Sequence, residues 1–353
     1  MAWKNPWYDS SKAHHTPEGF RNPEPEQRRP GDLKRWRRER KVQALPAPPQ
    51  QGYRAFTDQW WQPADICGSD DRIWWLGHAA VLLRLNGHYI LIDPALSSRA
   101  SPLAFAGPQR KTPAPISIAD LPRLDIVLIS HNHYDHLDKT TVKAIIQRFP
   151  QATFIVPLGL AKWCRARGVK NVHQLDWWQQ ITVGDLCFDA VPARHWSMRT
   201  PRDRNRSLWC GWVVRSASLR FWFSGDSGYS DRLLDIPARL GPFSMAALPI
   251  GAYAPKWFMA SQHMDPDQAV ALWQVAGRPL TLPIHWGVFE LADESLDAPP
   301  QELANALQRA DEHNGRFAPW RIGESRSLNN CAQELSQTPP PRDKKIPAVI
   351  YLM

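Results

Sequence analysis

From Ile73 onward the chain alternates short apolar runs with polar breaks, and the runs are brief and rich in β-branched and aromatic residues, as strands are. Residues 81–85 and 89–92 flank Asn86-Gly87, a pair that accepts positive φ at both turn positions and so predicts a hairpin. Further strands are expected at 126–129, 153–156, 181–183, 186–191, 208–214, 219–223, 245–248 and 280–283. Helices are expected at 140–146, at 160–167 with Gly168 as the stop, and at 266–275. Strands alternating with helices predict the α/β class. The same order allows two similar halves facing each other.

The first 70 residues break this pattern. They are rich in proline and charge and read as an arm wrapping a domain at 71–335, with a proline-rich charged tail at 336–353. Within the arm, residues 33–41 predict a short basic helix, lying either on an anionic bilayer or solvated beside the body. Hydrophobic residues at 43% and charged residues at 22% fit a globular chain of 353 residues with a large core, which is where most of the 18 tryptophans are expected.

A net charge of +9 favours anionic partners, among them nucleic acid, anionic lipid and phosphorylated small molecules. Five cysteines without CxxC spacing indicate neither a disulfide framework nor a thiolate zinc site. They favour a reducing compartment. No signal-peptide pattern and no membrane-length apolar run is seen, so the expectation is cytoplasmic, with peripheral attachment to the cytoplasmic membrane face.

The chemistry concentrates at residues 130–138, Ser-His-Asn-His-Tyr-Asp-His-Leu-Asp, directly behind an apolar strand. Imidazole nitrogen and carboxylate oxygen suit a borderline divalent ion such as zinc, and the end of a strand exposes its next residues to substrate. Three later strands also stop at ligand-type residues: His195, Asp226 and His285. Together these form a two-metal set, with His131, His133 and His195 on one zinc ion, Asp135, His136 and His285 on the other, and Asp226 between them. Asp93 ends another strand and reads as an acceptor for an imidazole N–H, and His78 reads as structural. Tyr134, between two ligands, is placed beside the substrate. His14, His15, His88, His173 and His313 lack strand-end context and are assigned no chemistry.

The His-X-His-X-Asp-His motif and the ordered His, Asp, His after it resemble the metallo-β-lactamase-fold hydrolases. Longer segments narrow the likeness: Trp75-Leu76-Gly77-His78-Ala79, Leu175-Asp176-Trp177-Trp178, Gly251-Ala252-Tyr253, His263-Met264-Asp265-Pro266 and Ile284-His285-Trp286-Gly287. Over roughly 73–330 the chain resembles the N-acylphosphatidylethanolamine-hydrolysing phospholipase D branch. In the arm only Phe20-Arg21-Asn22-Pro23 matches. The resemblance implies a four-layer αββα sandwich with two Zn2+ ions, and a phosphodiesterase that releases phosphatidate and an N-acylethanolamine. Asp135 would both ligate and steer the attacking water, Asp226 would bridge, and His263 would contact phosphate or assist the leaving alkoxide. A buried structural histidine is the competing reading of His263.

Other readings use the same residues differently. One is a metal-dependent hydrolase of other phosphodiesters, phosphorylated sugars or cyclic esters; another treats the metals as structural. A nucleic-acid module is disfavoured, because the basic arm interleaves few aromatics and carries no RNA-binding motif. The expected partners are a phospholipid substrate and an anionic membrane surface, with no nucleic acid and with a homodimer left open.

Overall fold

The computed structural model describes residues 3–25, 28–103 and 105–328; the tail proposed at 336–353 lies outside them. Two sheets face each other. The first runs in the order Ser325–Ser327, Arg72–Gly77, Ala80–Leu85, His88–Ile92, Ile126–Leu128, Thr153–Pro157 and Asn171–Leu175. The second runs Leu280–Ile284, Met245–Pro249, Arg220–Phe223, Gly211–Arg215, Leu186–Val191 and Gln180–Val183. Each half begins as an antiparallel meander and then switches to parallel strands. That switch requires crossover connections, which carry the helices and, at their starts, the site.

Period-two alternation sorts the first sheet's side chains between two cores. Ile73, Trp75, Val81 and Leu83 face the second sheet, while Trp74, Leu76, Leu82 and Leu91 face the outer helices. The helix Lys139–Arg148 packs Val142 and Ile145 onto that outer side, and Pro266–Val275 and Ala298–Arg309 pack against the other half. The result is a four-layer αββα sandwich.

The hairpin closes as expected, with Leu85 opposite His88. The 208–214 strand starts later, at Gly211, and the helix expected at 160–167 is confined to Ala161–Arg165, with Gly168 at φ 96° beyond it. Asn171–Leu175, Gly52–Trp60 and Ala298–Arg309 lie outside the expected elements. The first has only two apolar residues in five, and the last opens on Pro299-Pro300, which reads as a breaker yet is tolerated in a first helical turn. The arm is structured: it forms the basic helix Asp32–Val42 and a small hairpin of His15–Thr16 with Gly19–Phe20.

Candidate metal centre

The strand Ile126–Leu128 is wholly buried and delivers the chain to Ser130, whose N–H donates to Asp93 Oδ1 at 2.7 Å. From there the backbone turns tightly. The amides of His136 and Leu137 both donate to His133 O, Leu137 plugs the interior, and Asp138 caps the next helix by accepting from the amides of Thr140 and Thr141. The turn thus places four ligand-type side chains, His131, His133, Asp135 and His136, within a stretch of six residues.

Three histidines converge first. His131 Nε2 and His195 Nε2 lie 2.8 and 3.1 Å from His133 Nδ1. A second group forms beside it, with Asp135 Oδ2 at 3.3 Å from His136 Nε2 and 3.4 Å from His285 Nε2. Asp226 Oδ2 stands between the two groups. It lies 3.8 and 3.7 Å from His131 Nε2 and His195 Nε2, and 3.1 and 3.0 Å from His136 Nε2 and His285 Nε2. Gly225 makes this approach possible: at φ 63°, a Cβ there would sit 2.8 Å from Cys210 O.

Three of the five rings are also held at the far nitrogen. His131 Nδ1 meets Ser130 Oγ at 2.9 Å, His136 Nδ1 meets Asp93 Oδ2 at 2.7 Å, and His195 Nδ1 meets Gln262 O at 2.9 Å. Such contacts fix ring orientation and tautomer, leaving the inner nitrogen free to bind a cation. Asp93 therefore has the place expected for it. His78 is buried too, but its Nε2 reaches Asp135 Oδ2 at 2.9 Å, so it braces that carboxylate. Three of the non-glycine residues with positive φ, His78, Asp93 and His285, lie at this centre, where strained backbone is often found.

The electrostatics show a strong demand for positive charge. Burial raises Asp226, but His136 and His285 outweigh it and hold the carboxyl well below its usual range; Asp135 is likewise held low, burial again losing to His136 and His285. The counterpart appears on the imidazoles. Burial pulls His285 down, yet Asp226 and Asp135 push it up to about 9. Burial dominates at His133 and His195, which fall to about 4 and about 3 and so offer neutral nitrogen lone pairs. A divalent cation fits this donor set. Asp226 Oδ1, His136 Nε2 and His285 Nε2 are buried without an aligned hydrogen-bond partner among the described residues, and the groups His131–His133–His195 and Asp135–His136–His285 each bring their donor atoms within 4.8 Å.

The remaining expected residues lie around this core. His263 Nδ1 has no hydrogen-bond partner among the described residues, and its ring lies 5.0 Å from that of His285 and 5.1 Å from that of His195, near Asp226. Tyr134 donates its hydroxyl to Arg199 O at 2.9 Å and carries the Arg199 guanidinium 4.0 Å above its ring. Arg199 was not legible in sequence. Its Nη1 donates to Asn132 O and Leu137 O, both at 2.7 Å, tying the ligand turn from outside. His14 and His15, assigned no chemistry, meet at Asp176 with Lys12; the motif Leu175-Asp176-Trp177-Trp178 was the available signal. His88 pairs with Asp185 and His313 with Asp311, both at the surface.

A family model described as the beta-lactamase superfamily domain matches residues 88–286. N-acyl-phosphatidylethanolamine-hydrolyzing phospholipase D 1 of Caenorhabditis elegans is 40% identical over 265 residues, covering 71% of this chain and 74% of that one. The mitochondrial N-acyl-phosphatidylethanolamine-hydrolyzing phospholipase D of Saccharomyces cerevisiae is 34% identical over 65% of this chain, which spans 50% of that relative's length. The solved structure of a possible metal-dependent hydrolase from Veillonella parvula superposes with a TM-score of 0.60 at 15% identity, covering 74% of this chain and 100% of that one. That likeness speaks for the fold alone. With the family model, these relatives and this donor set together, the chain belongs to the metallo-β-lactamase family of metal-dependent hydrolases and is similar to its N-acylphosphatidylethanolamine-hydrolysing phospholipases D.

Proposed function

We propose that this chain is a dizinc phosphodiesterase that hydrolyses N-acylphosphatidylethanolamine-type phospholipids to phosphatidate and an N-acylethanolamine. The observation that carries the reading is Asp226 Oδ2, equidistant within 0.1 Å from His136 Nε2 and His285 Nε2 and facing the second histidine group 3.7–3.8 Å away. One carboxylate shared by two donor sets is what a two-metal hydrolase needs. His131, His133 and His195 would hold one zinc ion and Asp135, His136 and His285 the other. When bound, such ions supply Lewis-acid stabilisation of phosphoryl charge and make water nucleophilic near neutral pH.

The chain's own groups complete the chemistry. Asp135, braced by His78 at 2.9 Å, would orient the attacking water. His263 stands beside Asp226, and because burial holds its imidazole well below the usual histidine range, the neutral ring would hydrogen-bond the phosphoryl or departing alkoxide oxygen. Tyr134, its hydroxyl already committed to Arg199 O, offers its ring to the head group.

The reading includes peripheral attachment to an anionic membrane. On the helix Asp32–Val42, Leu33, Lys34, Arg37, Arg38, Lys41 and Val42 are all exposed, and their spacing of one, three and four residues puts them on one face. Four cations flanked by two apolar side chains suit an anionic bilayer. The opposite face stacks Trp36 on Phe258 at 4.9 Å, in the short helix whose Met259 O accepts from His263 N. No helix of the described residues is long and apolar enough to cross a membrane.

The test is zinc-loaded protein assayed on N-acylphosphatidylethanolamine in anionic and in neutral vesicles, with a small chromogenic phosphodiester alongside. Phosphatidate and N-acylethanolamine in equal amounts, formed faster on anionic vesicles, are expected. Lipid turnover at background with the small diester cleaved would overturn the substrate, and equal rates on both vesicles would overturn the docking face.

A further inference from the structure

His195 differs from the other metal-site histidines in where it sits. It lies in the irregular segment between the strands Leu186–Val191 and Gly211–Arg215, a connection long enough that its order must come from partners outside itself. Its ring is held by Gln262 O. Its main chain is held by the arm: Asn22 Nδ2 donates to His195 O at 2.9 Å, across 173 residues of sequence.

The arm reaches this carbonyl because it is itself clamped. Asn5 closes the small hairpin by donating to Thr16 O and Gly19 O. Lys12 Nζ and His15 Nε2 lie 2.7 and 3.0 Å from Asp176 Oδ2, and His14 Nε2 lies 2.7 Å from Asp176 Oδ1 with its ring stacked 4.2 Å from Trp177. The hairpin's other end lies flat on the His195 segment. Phe20 N donates to Asn205 O at 2.8 Å, and Gly19 packs so closely that a Cβ there would fall 2.2 Å from the same oxygen. Asn205 in turn exchanges hydrogen bonds with Ser197, two residues beyond His195. Past Asn22, Glu24 accepts from Ser230 and pairs with Arg232 at 3.1 Å.

The cluster on Asp176 is not a third metal site. Its carboxylate already carries the Lys12 ammonium on one oxygen and the Trp177 N–H, at 2.8 Å, on the other. It supplies its own cation and functions as an anchor.

We infer that the N-terminal hairpin is a working part of the metal centre: Asn22 is a positioning residue that fixes the His195 main chain, and the Lys12–His14–His15–Asp176 anchor holds Asn22 in place to do so. The consequence is selective. Loosening the hairpin weakens the hold of the His131–His133–His195 group on its cation and leaves the Asp135–His136–His285 group unaffected. The inference rests on the two-metal reading above.

The experiment follows zinc release to a chromogenic chelator from the full-length protein. Wild type is first loaded and its zinc per chain counted. A count other than two overturns the two-metal reading, and with one ion the single release rate then tests the role of the hairpin alone. With two ions, the phase belonging to the three-histidine group is identified as the one lost in His195→Ala. Asn22→Ala and Asn22→Asp, which both lack the amide donor, are expected to speed that phase by about tenfold, the lower end of what outer partners of metal ligands command, while the other phase stays within about twofold. Asp176→Asn, which frees the hairpin from its far end, is expected to move the same phase, and Asn22→Gln, which keeps a donor, to restore part of the hold. Equal acceleration of both phases, or of neither, in Asn22→Ala would overturn the inference.

Discussion

Among the described residues, two regions of buried histidine and aspartate differ in what balances the carboxylate. At the metal centre Asp135 and Asp226 face imidazoles only, and the inner nitrogens of His136 and His285 lack aligned partners. At Asp176 the two imidazoles are joined by a lysine, and both oxygens are engaged. Donor identity and spacing are alike, since both sets bring their ligand atoms within 4.8 Å. Charge compensation separates them: a cluster that carries its own ammonium is a clamp, and one that does not is a receptor for an external cation.

The largest effect is expected from Asp226→Asn, which removes the shared charge. Zinc per chain should fall and hydrolysis drop by at least about 100-fold, beyond the range that outer partners of ligands command. Full zinc content with full activity would break the comparison on the receptor side.

On the clamp side, Asp176→Asn should leave the zinc count of loaded protein unchanged while costing about 3 kcal/mol of stability, the loss expected when a buried ion pair is broken at one partner, read from urea melts. Burial raises the Asp176 carboxyl, but His14 and Lys12 outweigh it and hold it far below the usual range. A depressed carboxyl stabilises the folded state above its unfolded value of about 3.9 and loses that contribution as pH falls towards the folded value. The wild-type advantage over Asp176→Asn should therefore persist down to about pH 4 and shrink below it. An advantage that instead vanished between pH 8 and 6 would place the stabilisation on the histidines.

The smallest effect sharpens the contrast most. Lys12→Ala withdraws the built-in cation, and the remaining His14, His15 and Asp176 should then take up a third equivalent of zinc at excess metal, seen by calorimetric titration. A titration that still stopped at the wild-type count would show that geometry, and not charge, excludes metal there.

These contrasts also mark what could be read in advance. His131, His133, Asp135 and His136 were legible because they are contiguous: one buried strand and one capped turn fix all four. His195, Asp226 and His285 were legible in type because each follows an apolar run, a local feature of the chain. Arg199 and Asn22 were not. Each acts through a hydrogen bond to a distant backbone carbonyl, and a carbonyl leaves no trace in the identity of the residue that bears it. His14 and His15 show the reverse, with local context suggesting nothing and a partner 161–162 residues away giving them their role.

Sequence alone determined the α/β class, most strands of the two sheets and the chemical kind of the site, because period-two burial, strand-end position and ligand type are properties of neighbouring residues. Tertiary structure alone decided that Asp176 is already neutralised, that Arg199 ties the His131–His136 turn, and that the arm holds His195. Each of these is a relation of distance and charge between segments far apart in the chain, and burial, by removing the screening of water, makes such relations strong enough to matter.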